Sequence, residues 1–334
     1  MISKKLILWW LSIILLLPLI NNTFGQEEEE EEEEVVTEKP MLKANQLSSD
    51  FNFDGLFSII DWNAGTDSIS DLITIDPVEG GEPEAPTVVK VFTGPNDIIV
   101  AVRCFDKFPN DITAFSKARD SELAEEDHIV IVFDTFLDGR SGYVFAVNPS
   151  GARTDGLVIE QGEDVNIDWD EIWEAKTSIN SEGWYAEFRI PIKSISFGKG
   201  LNEWGFNVQR RVQRLQETSR WSGAKRDHEI YQTNQAGVLT DLPEFDHGVG
   251  LSVRPSLVGR AQTISPDATT TDLEPSLDIT QRIGPNILSA LSINTDFAET
   301  EVDVRQINLT RFPLFFPEQR TFFLHGLDIF EFGL

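Results

Sequence analysis

The sequence is poor in cysteine, histidine and positive charge, and each shortage removes a class of chemistry. Cys104 is the only cysteine, so the chain has no intramolecular disulfide and must be stabilised by its core or by ions. The four histidines, His128, His228, His247 and His325, are scattered without zinc spacing, and no serine sits in a glycine-x-serine-x-glycine elbow. Zinc-site and serine-triad chemistry therefore have no local support. Lysine and arginine number 27 against 56 aspartates and glutamates, a formal charge of −29. Phosphate backbones need a clustered basic surface, so nucleic acid is a poor partner and none is expected.

Long apolar runs are scarce too. The one from Leu6 to Ile20 follows Lys4 and Lys5 and precedes Thr23-Phe24-Gly25, the order of a signal peptide, and it is too short for a comfortable membrane span. Residues 1–25 are expected to be a leader cut before Gln26, which makes the protein exported. Loss of Lys4 and Lys5 takes the charge to −31, and setting aside the eight carboxylates of Glu27–Glu34 leaves −23. That acidic block repels itself, so residues 26–48 are expected to form a solvated, disordered tether. The remainder of the chain is long enough for one large domain and part of another.

From 49 to 246 the pattern is all-β. Thr87–Phe92, Ile98–Phe105, His128–Asp134, Tyr143–Val147, Ala186–Ile190 and Trp204–Val212 are short runs of β-branched and aromatic residues bounded by glycine, proline, asparagine and aspartate. Their alternation predicts strands packed face to face in an immunoglobulin-like or jelly-roll-like β-sandwich. Asp138-Gly139 marks a hairpin. From 247 to 334 the grammar changes: Leu251–Gln262 alternates, a polar loop rich in threonine and aspartate comes next, and Ser276–Ile283 and Ile287–Thr295 alternate around Gly284-Pro285-Asn286. Segments of about ten residues with period-two hydrophobicity fit either the first strands of an outer-membrane β-barrel or a further soluble sheet. A barrel closes with at least about eight strands, so the barrel reading expects a fragment, continued beyond Leu334.

The stretch "DWDEIWEAKTSINSEGWYAEFRIPI" sets Trp169, Trp173 and Trp184 among carboxylates. Pyranoses offer hydroxyls for polar side chains and C–H faces for aromatic rings, so these tryptophans are candidate sugar platforms, at least one of them stacking a ring. Core packing is the alternative, and for Trp184, in line with Ala186, Phe188 and Ile190, the favoured one. Arg119 with Asp120, and Arg153 with Asp155, are candidate ligand-facing pairs or plain salt bridges. Glu171 and Glu187 are weak candidates for a glycosidase acid and base. Asp134, Asp138, Asp155 and Asp168 lie at strand ends or turns where a structural calcium finds oxygen ligands; Asp134, Asp138 and Asp168 are carried forward as weak candidates. No other cofactor is required.

The runs "KVFTGPNDIIVAVRCFD", "DHIVIVFDTFLDGRSGYVFAVNPSGARTDGLV" and "EWGFNVQRRVQRLQETSRWS", together with that stretch, resemble a family 9 carbohydrate-binding module. The version it is most similar to is fused to an uncharacterised outer-membrane β-barrel family, whose opening "LSINTDFAETEVDVRQINLTRFPLFFPEQRTFFLHG" resembles. The family's usual opening has an acidic pair before its tryptophan; here Phe57 and Ser58 stand there, with Asp61 and Trp62 after them. The resemblance implies a β-sandwich that binds oligo- or polysaccharide without cleaving it, calcium in some members, and a place in carbohydrate catabolism beside enzymes that hydrolyse O-glycosyl bonds. Two alternatives stay open: intrinsic glycoside hydrolysis, and a barrel-linked transport or assembly protein whose sandwich binds no sugar.

Overall fold

The computed structural model describes residues 38–49, 51–56, 67–159, 162–167, 169–245, 251–265, 268–283 and 287–294. The expected leader, the acidic run, Trp62, Asp168 and the segment after residue 294 lie outside these residues.

The described chain is all-β, with only 3-10 turns besides strands. One sheet runs in the order β1 (Met41–Lys43), β14 (Gly237–Thr240), β12 (Trp204–Val212), β6 (His128–Asp134), β7 (Gly142–Val147), β8 (Arg153–Ile159) and β9 (Asp164–Asn166). β13 (Glu217–Arg220) pairs with β12, and β3 (Ile73–Asp76) pairs with β13. The facing sheet is β10 (Glu174–Asn180), β11 (Gly183–Pro191), β5 (Asp97–Phe105), β4 (Thr87–Thr93) and β2 (Asn45–Gln46). Period-two alternation sends Val89, Val91, Val100, Val102, Ala186 and Phe188 inward from the second sheet to meet Ile129, Ile131, Phe133, Phe145, Phe206 and Val208 of the first. Alternate side chains of a strand point to opposite faces, and burial of the inward set is the main driving force for this sandwich.

The polar tie between the sheets is Arg210 of β12, which is fully buried. Its Nη1 donates to the carbonyls of Ala85 and Pro86, both at 3.0 Å, and to Thr87 Oγ1 at 3.1 Å; its Nη2 donates to the Phe105 carbonyl at 2.9 Å. A planar, always-charged guanidinium can satisfy several carbonyls at once, which makes burial of this charge tolerable.

Two expectations need correction. The tether is not solvated throughout 26–48: β1 runs parallel to β14, β2 runs parallel to β4, and the compact unit begins at Lys39. Leu42 enters the core, and Asn45 Nδ2 donates to the Val91 carbonyl at 3.2 Å. Apolar burial and ladder bonding outweigh the polar composition of this stretch. The threonine-rich loop is also mostly strand. β15 (Leu251–Ser265) and β16 (Ala268–Ile283) form one long hairpin, with Thr263 opposite Thr269, because β-branched threonine suits a pleated strand.

β17 (Ile287–Ile293) completes a three-stranded antiparallel sheet with β15 and β16. Its register places Leu257 opposite Pro275, Val253 opposite Ile279, and Leu291 opposite Ile279. One face is therefore apolar, and Leu251, Val253, Leu257, Leu273, Leu291 and Ile293 are exposed on it. The other face is polar: Ser256 and Ser276 share a hydrogen bond of 2.6 Å, and Ser292 donates to Asp278.

Candidate functional site

The four polar residues singled out in sequence, Arg119, Asp120, Arg153 and Asp155, meet in one cluster at the β8 edge of the sandwich. Asp120 takes a left-handed backbone, φ 57°, which aspartate tolerates, and its N–H donates to the Arg153 carbonyl at 2.9 Å. Thr154 Oγ1 donates to the Ser121 carbonyl at 3.0 Å, so the loop before β6 is fastened along β8. Asp155 stands opposite Phe145, on the core-facing side. Its Oδ1 accepts Arg119 Nη2 at 2.7 Å and its Oδ2 accepts the Glu171 N–H at 2.8 Å. Arg119 Nη2 also donates to the Glu171 carbonyl at 2.8 Å and pairs with Asp170. Asp120 Oδ2 lies 3.5 Å from Arg119 Nε.

Burial pushes the carboxyls of Asp155, Asp120 and Glu171 above their ordinary values, opposed at Asp155 by the Glu171 N–H and Arg119, at Asp120 by Arg119, and at Glu171 by Arg254. Arg153 differs from its neighbours. Its guanidinium lies 5.8 Å from the Trp173 ring centroid, its Nε is enclosed, and among the described residues it donates no side-chain hydrogen bond. The cluster thus presents the Asp120 and Asp170 carboxylates as acceptors and guanidinium N–H groups as donors within one rim, with Asp155 buried beneath it.

The tryptophans are sealed in the core. Trp169, Trp173 and Trp184 are 2%, 1% and 1% exposed. Trp173, just ahead of β10, stacks on Phe188 of the neighbouring β11 at 5.9 Å and meets the edge of Phe145 from the facing sheet at 5.1 Å; Trp169 rests on Tyr143 at 5.1 Å. No indole face of the three is free for a sugar in this conformation. The physical reason is division of labour along one loop: the indoles close the gap between the sheets, while the flanking Asp170 and Glu171 turn to Arg119 and Arg254.

Glu171 and Glu187 share no neighbours. Glu171 belongs to the Arg119 cluster and lies 3.8 Å from Arg254, whereas Glu187 is fully buried on the outer face of β11 with Tyr185 and Gly55. A glycosidase pair must flank one bond, and these two are not assembled around a common space. The calcium candidates are engaged by donors. Asp134 accepts the N–H groups of Phe136, Asp138 and Gly139 at 3.2, 3.3 and 2.9 Å, and Asp138 accepts those of Arg140 and Ser141 at 2.8 and 2.9 Å. N–H groups aimed at carboxylate oxygens occupy the lone pairs a cation would need. Among the described residues no group of three or more histidine, cysteine or carboxylate side chains is arranged to hold a metal.

Sequence reasoning passed over Phe108, an exposed ring under the guanidinium of Arg214, with 5.1 Å between Arg214 Cζ and the ring centroid. The signal was present: in "DKFPND" a lone aromatic sits among charged residues, proline and asparagine, the composition of a surface loop.

Residues 248–334 match the family described as Domain of unknown function (DUF5916). No curated protein matches the chain at a significant level. Among solved structures, the chain is similar to a family 9 carbohydrate-binding module from Caldicellulosiruptor kristjanssonii in complex with cellotriose, at 15% identity and a TM-score of 0.43, covering 63% of this chain and 97% of that one. The same organism's family 9 module in complex with glucose gives 16% identity, a TM-score of 0.45, and coverage of 63% and 99%. A putative carbohydrate-binding protein from Bacteroides uniformis ATCC 8492 gives 15% identity and a TM-score of 0.45, covering 60% of this chain and 99% of that one.

Proposed function

We propose that the sandwich binds saccharides non-covalently, with the Arg119–Asp120–Arg153–Asp170 rim as the contact surface and buried Asp155 holding Arg119 beneath it. The observation that carries this reading is Arg153, a guanidinium beside carboxylates that donates no side-chain hydrogen bond among the described residues. Every other charged member of the rim has a hydrogen bond or ion-pair partner. A sugar hydroxyl both donates and accepts, so one ring can serve the Arg153 guanidinium and a carboxylate together. Calorimetric titration of the parent and of Arg153→Ala with mono- and oligosaccharides tests it. Binding by the parent and its loss in the variant, with unchanged unfolding, is expected; no heat from any glycan in the millimolar range overturns the proposal.

A second reading concerns the three-stranded sheet. We propose that its apolar face meets lipid, as the opening strands of an outer-membrane barrel carried to the envelope by the N-terminal leader. The supporting observation is that Leu251, Val253, Leu257, Leu273, Leu291 and Ile293 are exposed on one face while Ser256, Ser276 and Ser292 lie on the other, in strands of 15 and 16 residues, longer than the roughly 9–11 residues a membrane-spanning strand requires.

A further inference from the structure

We infer that the bound glycan is an oligosaccharide laid along the loop that joins β5 to β6, with Phe108 as a second subsite, a stacking one, beyond the polar Arg119 rim; this rests on the saccharide reading above. Phe108 is 56% exposed, yet it is held in place on several sides. Its N–H donates to Asp106 Oδ1 at 2.7 Å, its carbonyl accepts the Asp111 N–H at 2.9 Å, and Pro109 fixes the adjoining turn. Arg214 lies over the ring and is itself tied to Asp106 at 2.8 Å, while the Asp106 N–H donates to the Glu182 carbonyl at 2.9 Å. A ring fixed this way loses little freedom when a pyranose stacks on it, which is what a binding platform requires.

The same loop continues through Phe115, 67% exposed, whose N–H donates to the buried Glu126 at 2.7 Å, and reaches Arg119. Buried Asp106, Glu126 and Asp127 accept its backbone N–H groups along the way. An otherwise polar loop is thereby held rigid while two of its phenylalanines stay outside. Arg214 lies just past the end of β12, and the Arg119 rim sits on β8, three strands away in the order β12-β6-β7-β8. At about 4.8 Å per strand that is roughly 14 Å, more than one pyranose covers.

The parent and two variants, Phe108→Ala and Phe108→Tyr, are titrated calorimetrically with β-1,4- and α-1,4-linked gluco-oligosaccharides from one ring to six, with unfolding measured in parallel. In one of the two series the parent's affinity is expected to rise by about three- to ten-fold once the chain spans both positions, the scale of an aromatic stacking contact. Phe108→Ala flattens that rise and Phe108→Tyr restores it. Affinity independent of length in the parent, or an undiminished rise in Phe108→Ala, overturns the second subsite while leaving the rim intact. Absence of binding at every length removes the saccharide reading and this subsite with it.

Discussion

The backbone N–H of Gly55 donates to Glu187 Oε2 at 3.0 Å, joining residues 132 positions apart. Gly55 is there because φ is +74° and because a Cβ would come within 2.7 Å of Lys176 Cβ. Around this bond residues 51–56 lie against the outer face of the five-stranded sheet. Phe51 packs on Phe92 at 5.6 Å, and Lys176 Nζ donates to the Phe53 carbonyl at 3.0 Å.

This arrangement makes stability depend on pH. Burial, with help from Asp54, pushes the Glu187 carboxyl up to about 7 from 4.5, against the pull of the Gly55 N–H and the Tyr185 hydroxyl. A carboxyl whose folded value is raised holds its proton more tightly in the folded chain. Its contribution is therefore fully present below the unfolded value and is lost as pH climbs from about 4.5 through about 7. Chemical denaturation of the parent is expected to show this decline, worth no more than about 3 kcal/mol, and Glu187→Gln should flatten it. An identical slope in the variant refutes the assignment.

Trp173→Ala is expected to cost about 3–5 kcal/mol, because the indole fills the space between Phe145 and Phe188 at the sandwich edge. Denaturant unfolding measures it. A variant as stable as the parent that has lost glycan binding would return this indole to the role of a platform.

Arg210→Ala is expected to lower stability by about 3–5 kcal/mol or to prevent folding, since four acceptors around a buried site lose their donor. Arg210→Lys should rescue only part of this, because a single ammonium lacks the planar fork that reaches the Ala85, Pro86 and Phe105 carbonyls together. Full rescue by lysine would show that charge alone matters there.

Leu257→Asp and Leu273→Asp place a carboxylate on the apolar face of the three-stranded sheet. The parent is expected to float with phosphatidylcholine vesicles and the double variant to stay in the dense fraction, the charge costing about 2 kcal/mol or more at membrane depth. Equal flotation of both proteins rules out this face as the membrane contact.

Much of the fold was legible in the sequence and less of the site. His128–Asp134 and Trp204–Val212 were read with the bounds they have, because each carries at least three alternating pairs of inward and outward residues. β1 and β2 were missed because strands of three and two residues show no period, and their order comes from partners about two hundred and about fifty positions away. The members of the rim were visible as Arg119-Asp120 and Arg153 with Asp155. Their union was not, since it depends on a bond across 36 positions. The acidic setting of Trp169 and Trp173 leaves platform and core readings both open; residue order does not reveal that carboxylates and indoles of one loop part company.

Cys104 sits one residue before the end of β5, 1% exposed, with burial pushing its thiol up to about 12. As the sole thiol of the chain it has no competitor for an alkylating reagent. While the sandwich is closed it is both unreachable and protonated, and only the thiolate reacts. The modification rate therefore counts openings where β5 ends between β4 and β11, so the protein carries its own clock for how often this part of its interior is laid bare.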